Sequence, residues 1–478
     1  MITGKILKQH GWPEGKTIGL AKAAAGRLEA TGMGREAVLE ALDRVRVAPS
    51  EHVDDPALAT LAAGCLRLQR RAAPLRQDIL REVPLPYRVW GAAGIDPGAI
   101  AQMDAAMRLP VSVAGALMPD AHVGYGLPIG GVLATEGVVI PYAIGVDIAC
   151  RMRISVYPLS PAILDQREEQ FAHALLSRTA FGAGAACSGS DRAQHEVLDD
   201  PAWNATKLLK SLHGKAEQQL GTSGTGNHFV EFGSFTLVRP DPRLGVEPGD
   251  YLALLSHSGS RAVGFTIANT YSALAEQAHP GLEKSLRHLA WLDMDSEAGQ
   301  EYWLSMELAG RFASANHAVI HRRVAAALGL KELAAVENHH NFAWRESVTL
   351  ADGSSRELLV HRKGATPAGA GVLGIIPGSM GDPGYLVRGR GEATALHSAS
   401  HGAGRLMSRR SALDTITKTM RDRYLRERGV TLLGGGLDES PQAYKPIESV
   451  IAAQRALVET IGSFAPRIVR MADEPGDI

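Results

Sequence analysis

Glycine is gathered into short polar strings in this chain, and those strings constrain its fold more than any other feature. Of 478 residues, 52 are glycine. Beyond about residue 115 many of them bracket His, Ser, Asn or Arg, as in Gly221-Thr222-Ser223-Gly224-Thr225-Gly226-Asn227-His228, Ser256-His257-Ser258-Gly259-Ser260-Arg261, Gly378-Ser379-Met380-Gly381 and His401-Gly402-Ala403-Gly404-Arg405. A residue without Cβ lets another backbone or a ligand come close. Several strings adjoin short apolar runs of strand character, at residues 111–117, 130–134, 138–141, 252–255, 358–360 and 385–387. Polar side chains are therefore carried on turns at strand ends, and the stretch 132–156 is strand-dominated. The expected fold class is α+β, a core of packed β-sheets with helices outside it, and not a Rossmann sheet.

The first 85 residues read differently. Apolar residues recur at helical spacing over 18–29 and 35–47, and Asp54-Asp55-Pro56 opens a further helix. Nothing there looks catalytic, and Cys65 reads as core. Residues 1–85 are predicted to form a helical N-terminal extension, closed by the linker Val83-Pro84-Leu85-Pro86, and residues 86–478 the catalytic domain. Within the latter, helices are expected over 163–180, 205–220 and 296–327. The last carries His317 and His321, a spacing that imitates a zinc-binding helix. No Glu follows His317, so the pair is assigned to the helix surface or to packing.

Composition narrows the classes of function. A hydrophobic share of 45% with 21% charged residues suits a globular protein with a large core. A net charge of −1 leaves no global positive field, so any nucleic-acid contact must be local. Residues 361–430 provide one, with twelve Lys or Arg against five Asp or Glu. Three cysteines argue against a disulfide scaffold and for a reducing compartment. No signal-peptide core opens the chain, and no apolar run approaches the ~20 residues of a membrane span. The expected location is the cytoplasm, with no membrane partner.

Five potential metal ligands fall in turns of this kind: Asp147, Cys150, His228, His257 and His340. A carboxylate, a thiolate and imidazoles suit Mn²⁺, Zn²⁺ or Fe²⁺, and five ligands admit two ions bridged by the Cys150 sulfur. Asp120 and His122 alternate along a strand end and so share a face. His401, in a loop with two glycines and an arginine whose fork suits phosphate, is the candidate nucleophile toward phosphorus. Gly221 to Gly226, Gly378 to Gly381 and Gly402 to Arg405 could cradle phosphate. No GxxxxGK[ST] string occurs, so a nucleotide must be held in another way.

The strings MPDAHVGYGLPIGG, GVDIAC, LGTSGTGNHFVEF, HSGSR, NHHNFA, HRKGAT, PGSMG, HGAGRLMSR and AYK, spread over residues 118–445, resemble the RtcB-type RNA ligases in content, order and approximate spacing. The resemblance implies the fold of that family's catalytic core. It also implies a GTP- and Mn²⁺-dependent ligase, two ions being expected, that joins RNA ending in a 2′,3′-cyclic phosphate or 3′-phosphate to RNA with a 5′-hydroxyl. His401 would carry a covalent guanylate, oriented by Asp120, and the RNA end would be activated as RNA–pp–G. Asp147, Cys150, His228, His257 and His340 would hold metal, the HN frame selecting His340 over His339. Phe229 would stack on guanine and Glu231 would accept from its N–H edge. Ser379 and Tyr444 would be further guanylate contacts, as would Gly402, Ala403 and Gly404. Asn227 would meet the nucleotide phosphates, and Arg261 and Arg405 the phosphates or the RNA terminus. Implied partners are RNA ends, such as tRNA halves or broken RNA, and GTP; the resemblance leaves open whether an accessory activator protein takes part. In one place the chain departs from the pattern. Met471 stands about where such chains carry a C-terminal lysine, with Arg467 and Arg470 as candidate substitutes. Two rival readings keep some of these residues: a metal-dependent phosphodiesterase or phosphatase that trims RNA ends without ligation, and a non-catalytic RNA-end-binding protein.

Overall fold

The computed structural model describes residues 2–12, 15–72, 78–350 and 352–473. Contacts divide the chain into two compact units, one of Met1–Leu80 with Asp293–Gln300 and one of Arg81–Leu292 with Glu301–Ile478.

The first unit is helical. Lys16–Ala30, Arg35–Val47 and Ala59–Ala72 are its longer helices. Their apolar stripes meet in one core that includes Leu28, Val38, Leu42, Val45, Leu61 and Cys65. The short segment Asp293–Gln300, which nothing in the pattern tied to the N-terminus, also belongs to this unit. The Val83–Pro86 string falls in the second unit and is not a free tether, because Leu85 N–H donates to the Met107 carbonyl at 3.2 Å.

The second unit is built on two larger sheets, which makes the fold α+β. A five-stranded sheet runs in the order Arg88–Val89, Ser112–His122, Ile129–Thr135, Ser355–Lys363, Asn341–Thr349. An eight-stranded sheet runs Leu373–Ile376, Gly384–Gly389, Val458–Met471, Phe229–Leu237, Gly249–Ser258, Arg151–Tyr157, Ala334–His339, with Thr431–Leu433 also pairing to Val458–Met471. Neighbours are antiparallel except Arg88–Val89 on Ser112–His122 and Thr431–Leu433 on Val458–Met471. That pairing is unlike the parallel sheet of a Rossmann domain.

The strand Gly249–Ser258 shows how the larger sheet positions a site. Side chains alternate between its faces. Leu252 and Leu254 pack with Phe171, Ile320 and Val324, whereas Ala253 and Leu255 pack with Ile375 and Leu386 on the other face. Both faces are covered, which is why the run is continuously apolar. The same alternation sends Ser256 and His257 to opposite faces. Ser256 hydroxyl meets His317 Nδ1 and His321 Nε2, each at 2.7 Å, and both histidines are buried on the helix Glu297–Leu328. The pair is thus a packing device of the sheet and lies neither on the helix surface nor at a metal site.

Candidate active site

Register brings the candidate ligands to one end of the eight-stranded sheet. Phe229 and Met152 are both paired with His257, and Arg151 with His339. His228, Cys150 and His340 each lie one residue beyond those positions. The turn before Arg151 is latched in place: Ala149, with φ of 59°, donates to the Asn341 carbonyl at 2.7 Å, and His340 N–H to the Cys150 carbonyl at 3.0 Å. Buried Arg151 secures the same turn by donating to the Gly310 carbonyl at 2.8 Å and pairing with Glu337.

Two groups with metal-ligand geometry result, Cys150–His257–His340 and Asp147–Cys150–His228, and they share the Cys150 sulfur. Cys150 Sγ lies 3.0 Å from His257 Nε2 and 3.5 Å from His228 Nε2. His228 Nε2 is 3.0 Å from the Asp147 carboxylate, and His257 Nε2 is 3.3 Å from His340 Nε2. The far nitrogens are fixed by carbonyls: His228 Nδ1 donates to Ser223 O at 2.8 Å and His257 Nδ1 to Asn227 O at 3.1 Å. Those bonds turn the Nε2 lone pairs of both rings inward, as in metal-bound histidines. Burial holds His257 and His340 well below the ordinary imidazole range, hence neutral. Burial, and then the Asp147 charge, push the Cys150 thiol well up. The Nε2 atoms of the three histidines, the Asp147 carboxylate and the Cys150 sulfur converge closely enough to hold a cation in common. A divalent ion would also reverse the thiol's preference and favour thiolate. The donor set therefore fits a borderline divalent ion.

Beside this cluster stands His401, whose ring centroid is 4.8 Å from that of His340. One oxygen of fully buried Asp120 accepts three hydrogen bonds: from His401 Nδ1 at 2.7 Å, from His401 N–H at 3.1 Å and from Gly402 N–H at 3.3 Å. Burial alone would raise the Asp120 carboxyl. The bond to His401, with the charges of His401, His122 and Lys445, overrides it and lowers the value. Lys445 holds the strand here by donating to the carbonyls of Pro119 (3.0 Å) and Ala121 (2.9 Å). Gly404, with φ of 74°, packs so tightly on the Asp120 backbone that a Cβ would overlap its carbonyl oxygen, whereas at Gly402 a Cβ would meet Pro377 O only at 3.5 Å. The Gly404 requirement thus comes from the loop's own seat on Asp120 and not from the approach of a ligand.

His257, His340 and His401 open into a cavity of about 780 Å³, whereas Asp120, Asp147, Cys150 and His228 lie outside its lining. Asn227, Phe229, Ser379, Gly402, Ala403, Gly404 and Tyr444 line it along with His257, His340 and His401. Glu231 is not among the lining residues; it lies two positions past Phe229 on the same strand face, and burial pushes its carboxyl well up. Arg261 is also outside the lining, held by Thr222 Oγ1 and the Gly182 carbonyl, each at 3.2 Å, with its charge near Asp147. Arg405 lines the cavity, but its guanidinium is engaged by the Met407 and Asp438 carbonyls, Glu439 and the Tyr444 hydroxyl at 2.7–3.3 Å. The expected phosphate fork is thus committed to building the wall. Met471 lines the cavity opposite Phe229 in register, while Arg467 pairs with Asp165 and Arg470 with Asp473, away from the lining. Neither arginine takes the place of a lysine at Met471.

Reasoning from motifs missed Lys445, Glu439 and Arg409. Glu439 binds Arg405, Arg409 and the Tyr444 hydroxyl. Lys445 and Arg409 had a signal, as the last residues of the strings AYK and HGAGRLMSR, whereas Glu439 had none.

The chain matches the tRNA-splicing ligase RtcB family over residues 102–471. It is 33% identical over 377 residues to the RNA-splicing ligase RtcB of Escherichia coli K12, covering 72% of this chain and 87% of that protein. This chain belongs to the RtcB family. Other RtcB relatives are the RNA-splicing ligase of Mycobacterium tuberculosis, 30% identical over 73% of this chain and 94% of its own length, and the tRNA-splicing ligase of Archaeoglobus fulgidus, 30% identical over 71% and 83%. The RtcB match spans every site residue named above and begins beyond the Met1–Leu80 part of the helical unit.

Proposed function

We propose that the protein is an RNA ligase that uses GTP and Mn²⁺, two ions being expected, to join 2′,3′-cyclic-phosphate or 3′-phosphate RNA ends to 5′-hydroxyl ends. The observation that carries the reading is the Asp120–His401 pair beside a cluster of metal-ligand geometry in an RtcB-family chain. With Nδ1–H donated to Asp120, His401 Nε2 keeps its lone pair, the form a nucleophile needs.

The steps follow from that tautomer. Nε2 attacks the α-phosphorus of GTP, a P–N bond forms and pyrophosphate leaves. Asp120 holds the ring in place and balances the positive charge it gains, the orienting role of a triad carboxylate. A 2′,3′-cyclic end must first take up water, which breaks the bond from phosphorus to the 2′-oxygen and leaves a 3′-phosphate. An oxygen of the RNA 3′-phosphate then attacks the guanylate, the P–N bond breaks, and RNA–pp–G forms. The 5′-hydroxyl attacks the RNA phosphorus and GMP leaves. A phosphate monoester is a poor electrophile without such activation, which is why a nucleotide is consumed.

Phe229 offers a face to guanine. Glu231 accepts from the guanine N–H edge, and those donors would hold ionised a carboxyl that burial otherwise keeps protonated. Asn227, Ser379, Gly402, Ala403, Gly404 and Tyr444 border the nucleotide, and Arg261 contributes positive charge from behind Asp147. Asp147, Cys150, His228, His257 and His340 would hold the ions, which supply charge neutralisation on phosphate oxygens. Of the basic residues over 361–430, Arg362, Lys363 and Arg421 are buried, whereas Arg410, with a 92% exposed side chain on the cavity, would meet a polyanionic substrate such as tRNA halves or broken RNA. The reducing cytoplasm is the compartment such a thiolate site requires.

The test is incubation with α-labelled GTP and Mn²⁺. The wild type should carry an acid-labile label that His401→Ala lacks, and retention of label by that variant would refute the assignment. End-labelled RNA with GTP supplied or withheld then distinguishes ligation from end trimming alone and from binding alone.

A further inference from the structure

The rim of the cavity carries an aromatic side chain that none of these steps uses. Tyr125 lines the cavity that contains His401, yet it is 69% exposed, and Val123 next to it is 53% exposed. The backbone beneath them is held at successive residues. Gln102 donates to the Gly124 carbonyl at 2.6 Å and accepts from Gly124 N–H at 2.9 Å. The ammonium of buried Lys363 donates to the Tyr125 carbonyl. Gly126, with φ of +70°, lies so close to the next layer that a Cβ would sit 3.1 Å from the His288 carbonyl oxygen. The Tyr125 ring meets His288 edge-on, with centroids 6.1 Å apart and planes at 89°, and His288 is itself stacked on Tyr142 at 4.4 Å. The loop is thus pinned while its ring stays largely open, an arrangement that costs apolar exposure and repays it only when something covers the ring.

We propose that Tyr125 is a stacking platform for an unpaired nucleobase at the RNA terminus entering the cleft. The inference rests on the reading of the protein as an RNA ligase. A terminus whose phosphate or hydroxyl must reach His401 cannot stay paired and stacked in a helix, so its last base needs a new face. An aromatic ring supplies one to any base, which suits an enzyme that joins ends without reading sequence. Arg410, with a 92% exposed side chain on the same cavity, supplies charge for the adjoining backbone. Phe229 and Tyr125 then divide the cleft between nucleotide and RNA. Tyr125 is a positioning residue: it holds a strand and takes part in no bond change.

The experiment measures fluorescence anisotropy of the full-length protein with two short RNAs, one ending in a 3′-phosphate and one in a 5′-hydroxyl, each made with a normal and with an abasic terminal nucleotide. Tyr125→Ala should weaken binding of one normal RNA by about 5- to 100-fold. Tyr125→Phe should bind it as the wild type does, and the abasic form of that RNA should bind wild type and Tyr125→Ala alike. The RNA affected identifies the strand, and in ligation its KM should rise more than kcat falls. The inference is overturned if Tyr125→Ala binds both normal RNAs as tightly as the wild type, if Tyr125→Phe is as weak as Tyr125→Ala, or if the defect persists on both abasic RNAs. Labelling of the wild type with α-labelled GTP, run alongside, separates the two readings: its failure would count against the ligase, while the anisotropy still decides for or against the stacking platform.

Discussion

As the proposed nucleophile, His401 would be reactive only in one tautomer, and a single carboxylate oxygen sets it. Asp120→Asn keeps the shape but can turn an N–H toward Nδ1 and favour the wrong tautomer. Guanylate formation, followed with labelled GTP under single-turnover conditions, should slow by at least about 100-fold with little loss of thermal stability. The two glycines of the same loop separate by a different measurement. Gly404→Ala forces a Cβ onto the Asp120 carbonyl at a left-handed φ, whereas Gly402→Ala meets nothing closer than Pro377 O at 3.5 Å. Denaturant unfolding should show Gly404→Ala destabilised by about 2 kcal/mol or more and Gly402→Ala by much less. His401 and its string were legible as a candidate phosphate loop, and Asp120 as its partner only through the family resemblance. That Gly404 serves the Asp120 backbone was not legible, because sequence does not say which segment lies against a glycine.

At the scale of elements, the turn carrying Asp147 and Cys150 depends on an ion pair two strands share. Burial opposes ionisation of Glu337, but the Arg151 charge first, then His317, the Ser314 hydrogen bond and Arg153, bring its carboxyl from 4.5 to about 2. A value lowered on folding means stability that is fully present above the unfolded value and lost as pH falls. That loss should run from about pH 5 down to about pH 2 and amount to roughly 3 kcal/mol. Melting temperature against pH should fall across this window in the wild type. Glu337→Gln should melt lower at neutral pH, because Arg151 is left buried without its partner charge, and should respond less to acid. The strand Gly249–Ser258 shows the limit of pattern reading. Its apolar centre was evident, but the five residues named around it, and the opposite facing of Ser256 and His257, followed from the packing and register of its neighbours. The His317–His321 pair was assigned to the helix surface or to packing, and its burial against Ser256 came from the helix packing on the sheet.

For the whole molecule, the site is a meeting of distant segments whose buried side chains converge in two groups that could hold a metal ion. Binding of an ion to the folded state alone raises stability by mass action. Adding Mn²⁺ to chelator-stripped protein should raise the melting temperature by several degrees. Cys150→Ser, which weakens both ligand groups at their shared atom, should remove most of that rise. An equal response in the variant would argue against Cys150 as a bridge.

By itself the sequence determined the residue chemistry and the kind of fold: thiolate, imidazole and carboxylate in glycine-bounded turns, a histidine in a phosphate-like loop, alternating apolar runs, and a helical start. Those features are local, set by side-chain type and by periods of two or three to four residues. Tertiary structure alone decided which of them meet. It joined residues 120 and 401 through one oxygen, set Cys150 between two groups, tied Arg405 into the wall, and left Met471 in the cavity while Arg467 and Arg470 turned to acidic partners elsewhere. Such contacts arise from strand register and close packing between segments far apart in the chain, and no local period encodes them.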